Sequence, residues 1–390
     1  MLARSVDIAI VGGGIVGASC AYFLAGRAAD VLLLESGRVG REASGMNAGG
    51  VRQQGRALPE VPLALESLPL WADLEKRLGA RVEYERTGDL RIVESDADAT
   101  RLAVIADAER QAGLPLEWVE GPALRALAPA LAPGVLGGFF CPTGGQANPL
   151  LVTPAFGRRA QDAGAAVWEG SPVNEIARDG DGFTLETGNG RVRAARLVIS
   201  AGAWTPALLK RLDVALPIDF FAPQMQATAP LPRMLGVVLL GFSRQLSMKQ
   251  MRSGAVLIGG GKRGWGDLST RTRGCFEQSL RLGVIDAVEV VPVLKGAETT
   301  RSWVGLEALT PDGMPIIDAL ENGRVYVAAG FCGHGFAIGP VVGRLLSEWL
   351  LDGRPSIDVS AFGASRFEGA AFAGRGTSET AARDARGVRQ

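Results

Sequence analysis

The sequence predicts an α/β protein in which a Rossmann-like dinucleotide-binding domain is joined to a second, mixed-sheet α+β domain. Three observations carry this. Val6–Glu35 reads as strand, glycine loop, helix and strand. Arg324–Leu351 repeats strand, glycine loop and helix near the other end. The total of 390 residues exceeds what one hydrophobic core usually organises, and the middle of the chain has hairpin-and-helix texture.

In the first unit, Asp7–Val11 is a short apolar strand and Ala18–Ala25 a helical run, with Val31–Leu34 as second strand. Gly12, Gly14 and Gly17 fit G-x-G-x-x-G. The first permits the tight turn, the second lets backbone approach a pyrophosphate, and the third lets helix and strand pack closely. The free N–H groups at a helix start then face the phosphates. Glu35 stands 18 residues past Gly17, where an acid accepts hydrogen bonds from a ribose. Ile8–Gly26 carries no charge and is long enough to resemble a membrane span, but five of its residues are glycine and a second strand follows. It lacks a secretory signature, so no membrane span and a cytoplasmic location are expected.

Lys plus Arg and Asp plus Glu are 41 each, so no net charge favours nucleic acid. Cys20, Cys141, Cys275 and Cys332 form no C-x-x-C pair and suggest neither iron–sulfur nor zinc ligation. His334 is the single histidine, which excludes any two-histidine mechanism. No metal is expected.

After Glu35, residues 36–52 form a long glycine-rich loop of the kind that carries function. Arg52 at its end is an anion-ligand candidate or a surface arginine. Leu58–Leu78 has helical spacing; Val82–Glu85 and Gly88–Val93 alternate as strands; Ala97–Ala112 and Gly121–Leu127 are helices. Thr153 and Pro154 suit N-cap and N1 of a helix ending at Ala163. Strands then follow at Ala166–Glu169, Val173–Ala177, Phe183–Thr187 and Val192–Ala194, with Arg196–Ser200 re-entering the first domain. Met225–Thr228, Ser247–Gln250 and Ala255–Ile258 read as strands of a larger sheet, Gly259–Gly264 as a strand end or anion loop, and Arg271–Val290 as one helix. Residues 1–80, 146–212 and 322–366 are thus assigned to the nucleotide domain, 81–145 and 213–321 to the second domain, and 367–390 to a mobile tail.

The segments IVGGGIVGASCAYFLA (10–25), REASGMNAGGVRQ (41–53), ARLVISAGAW (195–204), TPDGMPII (310–317) and AAGFCGHGFAIGPVVGRLLSEWL (328–350) together resemble the FAD-dependent amino acid and amine oxidoreductases, over about residues 1–365. The family includes glycine oxidase, sarcosine oxidase and D-amino acid dehydrogenase, and the flavour is nearest the flavin subunits of heteromeric sarcosine, D-hydroxyproline or opine enzymes. The resemblance implies an FAD-binding domain of the glutathione-reductase-like class and a substrate domain. It implies FAD contacts from Gly12, Gly14, Ile15, Val16, Gly17, Glu35 and Ser36. Others come from the loop residues Ser44, Gly45, Asn47, Ala48, Gly49 and Gly50, and from Val173, Ala201, Gly202 and Trp204. Gly333, His334, Gly335, Phe336, Ala337 and Ile338 complete the set. A helix starting near Ile338 directs its dipole at the flavin.

The implied chemistry is C–N oxidation of a secondary amine or D-amino acid of hydroxyproline, proline, sarcosine or opine type. Hydride passes to the flavin, and the imine can hydrolyse to a 2-oxo acid. Arg52 and Arg301 are the candidates for the substrate carboxylate, since a guanidinium fork matches two oxygens. Where glycine oxidases have Leu-Arg-Pro this chain has Leu306-Glu307-Ala308, which favours the hydroxyproline/opine branch; Glu307 either meets a second amino group or forms a salt bridge. His334 either faces the flavin or makes a structural hydrogen bond, and Lys249 is a candidate for the flavin or oxygen face. Flavin attachment is expected to be non-covalent. A dehydrogenase needs a smaller iron–sulfur or flavin-containing partner subunit or a quinone. The alternatives are a single-chain oxygen-using glycine/sarcosine-type oxidase, or a non-catalytic or tRNA-modifying FAD protein.

Overall fold

The computed structural model describes residues 3–27 and 30–368. The expected mobile tail falls, beyond Glu368, outside the described residues. Two eight-stranded sheets dominate. The first runs Ile316–Leu320, Val325–Ala329, Gly190–Ile199, Ala3–Val11, Val31–Leu34, Ala166–Trp168. Its four strands from Val325–Ala329 to Val31–Leu34 pair in parallel, as does Ala166–Trp168 on Val31–Leu34. Parallel strands covered on both faces read as continuous apolar runs, and Val31–Leu34 is buried throughout.

The Val192–Ala194 and Arg196–Ser200 readings merge into one strand, Gly190–Ile199. Its first half pairs antiparallel with Gly182–Thr187 and its second half parallel with Val325–Ala329. One strand thereby serves both the meander and the nucleotide sheet. Helices Ile15–Leu24, Pro149–Asp162 and Gly335–Asp352 pack against one another in one core with a face of this sheet. Val341, Val342, Leu345, Leu346 and Leu350 on the last helix are buried, each worth roughly 1.5–3 kcal/mol relative to exposure.

The second sheet runs Thr299–Val304, Gln224–Thr228, Val256–Gly259, Ser247–Gln250, Val238–Gly241, Asp89–Val93, Gly137–Cys141, Glu117–Glu120. All neighbours are antiparallel except Val238–Gly241 with Asp89–Val93, so the sheet is mixed. It draws strands from both 81–145 and 213–321, while Ile316–Leu320, inside the latter block, belongs to the first sheet. Helices Gly121–Leu127 and Glu277–Val290 pack their apolar residues on one side of it.

Several boundaries differ from expectation. Val82–Glu85 is not a strand: Glu83 takes φ +57°, and only Glu85 makes a bridge, to Gln146. The helix expected to begin at Thr153 begins at Pro149, because the Asn148 side chain caps it by accepting from the Leu150 N–H, and Pro154 lies inside it. Residues 271–276 are not helical; Arg273–Gly274 pairs with Trp265–Gly266, and the helix covers only Glu277–Val290. The last helix starts at Gly335, not near Ile338, and Pro340 sits within it without ending it.

Candidate active site

The two strand–glycine loop–helix units meet at the carboxyl edge of the parallel strands, where open α/β sheets bind ligands. A cavity of about 310 Å3 opens there. Gly12 turns at φ +110°, and a Cβ on it would lie 2.5 Å from the Ser200 carbonyl oxygen. A Cβ on Gly17 would lie 2.0 Å from the Gly12 oxygen, so helix Ile15–Leu24 can sit this close to the loop only with glycine there. Gly14 is the N-cap and has no side chain to place over the helix start.

Glu35 is nearly buried and is held by the loop: its Oε2 accepts from the Gly13 N–H at 2.8 Å and its Oε1 from the Gly37 N–H at 2.7 Å. The 36–52 loop returns to the same point. Ser44 Oγ accepts from the Ile15 N–H at 2.9 Å, and Asn47 spans the turn by donating to the Ala43 and Ser44 carbonyls and accepting from the Gly49 N–H. At one end the cavity wall is Glu35, Ser36, Val173 and Asn174; at the other it is Glu307, Gly333, Gly335 and Phe336.

Residues 7–349 match the FAD dependent oxidoreductase (DAO) family. The chain belongs to that family. Its cofactor, FAD, fits what the structure offers: a cavity along a glycine turn, the start of a 10-residue helix whose N-cap is glycine, and an acid at the end of the second strand. The chain is 29% identical to the glycine oxidase of Geobacillus kaustophilus over 93% of this chain and 97% of that one. It is 27% identical to sarcosine oxidase subunit beta of Rhizobium meliloti, over 93% and 88% respectively. Among solved structures, the glycine oxidase of G. kaustophilus superposes with TM-score 0.87 at 26% identity, covering 93% of this chain and 99% of that one. The L-proline dehydrogenase of P. horikoshii superposes with TM-score 0.87 at 25% identity, covering 94% and 99%. The protein is thus an FAD-dependent enzyme of the amino acid and amine oxidising family, with an α/β FAD-binding domain and a mixed-sheet substrate domain.

Gly12, Gly14, Ile15, Val16, Glu35, Ser36, Ser44, Asn47, Val173, Ala201, Gly202, Trp204, Gly333, Gly335 and Phe336 all line the cavity. Gly17, Gly45, Ala48, Gly49, Gly50, Ala337 and Ile338 do not; they shape the loops and helices that do. Cys332 also lines it, and its Sγ contacts the Thr310 N–H at 3.3 Å and the Gly330 carbonyl at 3.0 Å.

The five polar candidates separate. Glu307 lines the cavity, and burial pushes its carboxyl up to about 7 against the opposing pull of Arg52. Arg52 does not line the cavity but lies behind Glu307, with Asp89, Glu60 and Glu109 as its other charged neighbours; burial lowers its pKa, and its guanidinium has no hydrogen bond or ion pair among the described residues. Arg301 is elsewhere: it is exposed on the outer strand Thr299–Val304, with its guanidinium 5.4 Å from the Trp303 ring centre. It does not line the cavity, and its exposed place on the edge strand sets it apart from Glu307.

His334 does not line the cavity; its Nδ1 lies 3.0 Å from Glu60 Oε2. Burial, with Arg52 and Arg56, pushes it down to about 4 despite Glu60, so the neutral ring donates from Nδ1 to the carboxylate. Lys249 is buried, donates to the Ala147 carbonyl at 2.8 Å, and lines a separate small cavity with Glu83 and Glu85. Burial lowers it to about 7.

Sequence reading missed the buried cluster under Arg52: Arg56, Glu60, Asp89 and Glu109. Burial raises Asp89 to about 6. These residues are spread over a loop, a strand and a helix, so no spacing announces them. Arg271, Asn174 and Arg211 were also missed as cavity residues. No helix among the described residues is long and apolar enough to cross a membrane, and no metal-binding cluster occurs among them.

Proposed function

We propose that the chain oxidises the C–N bond of a small amino acid or N-alkyl amino acid of glycine, sarcosine or proline type, working as a single-chain oxidase. The observation that carries this reading is the arrangement of Arg52 and Glu307. A partly buried guanidinium without an acceptor stands behind a carboxyl at the cavity wall. Arg52 holds the substrate carboxylate through its fork. Glu307, with its affinity for protons raised toward neutrality, takes the proton of the substrate ammonium, leaving a neutral amine able to release the α-hydrogen as hydride. FAD supplies the hydride acceptor. His334 positions the start of helix Gly335–Asp352 through Glu60 rather than touching substrate. Lys249 sits against the 41–50 loop at Gly49 and supports it through its bond to the Ala147 carbonyl.

Likeness to glycine oxidase and to the proline dehydrogenase structure supports a small substrate and weighs against making hydroxyproline or opines the leading choice. Full-length coverage of the glycine oxidase supports the single-chain reading. A second reading, with a partner subunit as electron acceptor, is favoured by likeness to a protein that is itself a sarcosine oxidase subunit.

Anaerobic titration of the purified holoenzyme with glycine, sarcosine, D-proline, L-proline, cis-4-hydroxy-D-proline and octopine tests this. Bleaching of the flavin band by one of the first four and rapid recovery in air is expected. Bleaching by octopine or hydroxyproline alone moves the assignment to that branch, and failure of every amine ends the amine-oxidation proposal.

A further inference from the structure

The cavity that fits FAD is lined by two cations, Arg211 and Arg271, and three acids, Glu35, Glu42 and Glu307. FAD brings a pyrophosphate, and a free cation on the wall would add a charged donor to the N–H groups of the helix start. Arg211 is engaged, with Nη1 2.5 Å from Glu175 Oε1. Glu42 is engaged too, by both terminal nitrogens of Arg273, one of them at 3.1 Å. Arg271 has no acid partner among the described residues. Its Nη2 donates to Ser36 Oγ at 2.8 Å, and its guanidinium lies 5.1 Å from the Trp204 ring centre.

Arg271 does not come from the Rossmann framework. It sits at the tip of the Trp265–Gly274 hairpin, which belongs to the segment that builds the mixed sheet. The hairpin is fastened across the cavity at three places. Arg273 pairs with Glu42, Trp204 Nε1 donates to the Leu268 carbonyl at 2.9 Å, and Arg271 meets Ser36. The tip is built rather than loose: Asp267 Oδ1 accepts from the Ser269 and Thr270 N–H groups, at 2.7 and 3.0 Å. Arg271 itself takes φ +57°, a conformation a non-glycine residue adopts at a cost. That conformation carries its side chain back over the cavity wall.

We propose that Arg271 is a binding residue for the pyrophosphate of FAD, delivered from the substrate-domain hairpin. The hairpin thereby straps the dinucleotide into its cradle. The Trp204 face and Ser36 hydroxyl hold the guanidinium at the rim, and its remaining N–H groups are the donors for phosphate oxygens. The inference rests on FAD binding by the family fold and not on the amine substrate.

The test is flavin release from the holoenzyme, followed by recovery of flavin fluorescence, in wild type, Arg271→Ala and Arg271→Lys. Arg281→Ala, on the exposed face of helix Glu277–Val290, is the control. Arg271→Ala should release FAD at least about tenfold faster, with Arg271→Lys between it and wild type and Arg281→Ala unchanged. Competition of ADP and of adenosine with FAD for binding to the apoprotein locates the contact: Arg271→Ala should weaken ADP and leave adenosine unchanged. Unchanged FAD release in Arg271→Ala overturns the proposal, as does equal weakening of ADP and adenosine. A holoenzyme that binds FAD but oxidises no amine overturns the proposed function and leaves this measurement readable.

Discussion

His334, at the N-cap of the last helix, is hydrogen-bonded through Nδ1 to Glu60 Oε2 at 3.0 Å, and Glu60 is fully buried. The bond ties the 52–60 segment to the glycine loop that borders the cavity, and Arg56 reinforces it by donating to the His334 carbonyl at 3.2 Å. Burial works to raise the Glu60 carboxyl, but the His334 bond and the Arg56 charge bring it below its ordinary value. Replacing Glu60 with Gln leaves Arg56 without its counter-charge. Glu60→Gln should cost about 2 kcal/mol, read as a lower midpoint in thermal unfolding of the apoprotein.

Glu307 is expected to impose the ionisation that activity follows. Its carboxyl is raised to about 7, so kcat/KM should rise with pH through that value as the group becomes a proton acceptor. In Glu307→Gln this limb should vanish while FAD stays bound. An unchanged profile removes Glu307 from the proton-transfer step.

Arg52 and Arg301 part company on placement. Arg52→Ala should raise KM for a carboxylated amine on the order of 100-fold, two charge-assisted hydrogen bonds being lost. Arg301→Ala, on an exposed edge, should leave kcat and KM within about twofold, as surface changes generally do. Steady-state kinetics of the two variants side by side checks both.

Lys249 should weaken the fold in a pH-dependent way. Its folded value is lowered from 10.5 to about 7, so the unfolded chain binds the extra proton between those values, and stability rises with pH across that window. Lys249→Met should therefore stabilise most below pH 7 and progressively less toward pH 10.5, as measured by urea unfolding over that range.

Gly17→Ala should empty the cradle. The added Cβ meets the Gly12 oxygen at 2.0 Å; relief pushes the helix from the loop, at about 1–3 kcal/mol for an overpacked contact. The purified variant should carry little flavin by absorbance.

Local chemistry was enough to determine the nucleotide half. Apolar strands, spaced glycines and a terminal acid are each required within a few residues of one another, so Val6–Glu35 showed its geometry and its ligand class directly. The second strand–loop–helix unit and the meander are legible for the same reason, although the helix starts at Pro149 and Gly335 lie a few residues before the positions the sequence suggests. Tertiary structure alone decided which polar residues meet. Arg52, Glu60, Asp89, Glu109 and Glu307 come from separated loops, turns, strands and a helix, and only the folded chain brings them together. It also turned His334 to Glu60, sent Arg301 to the outer edge and brought Arg271 over the cavity. Side-chain direction on an edge strand or at a hairpin tip depends on partners distant in sequence, and burial, which sets proton affinity, is a property of the packed whole.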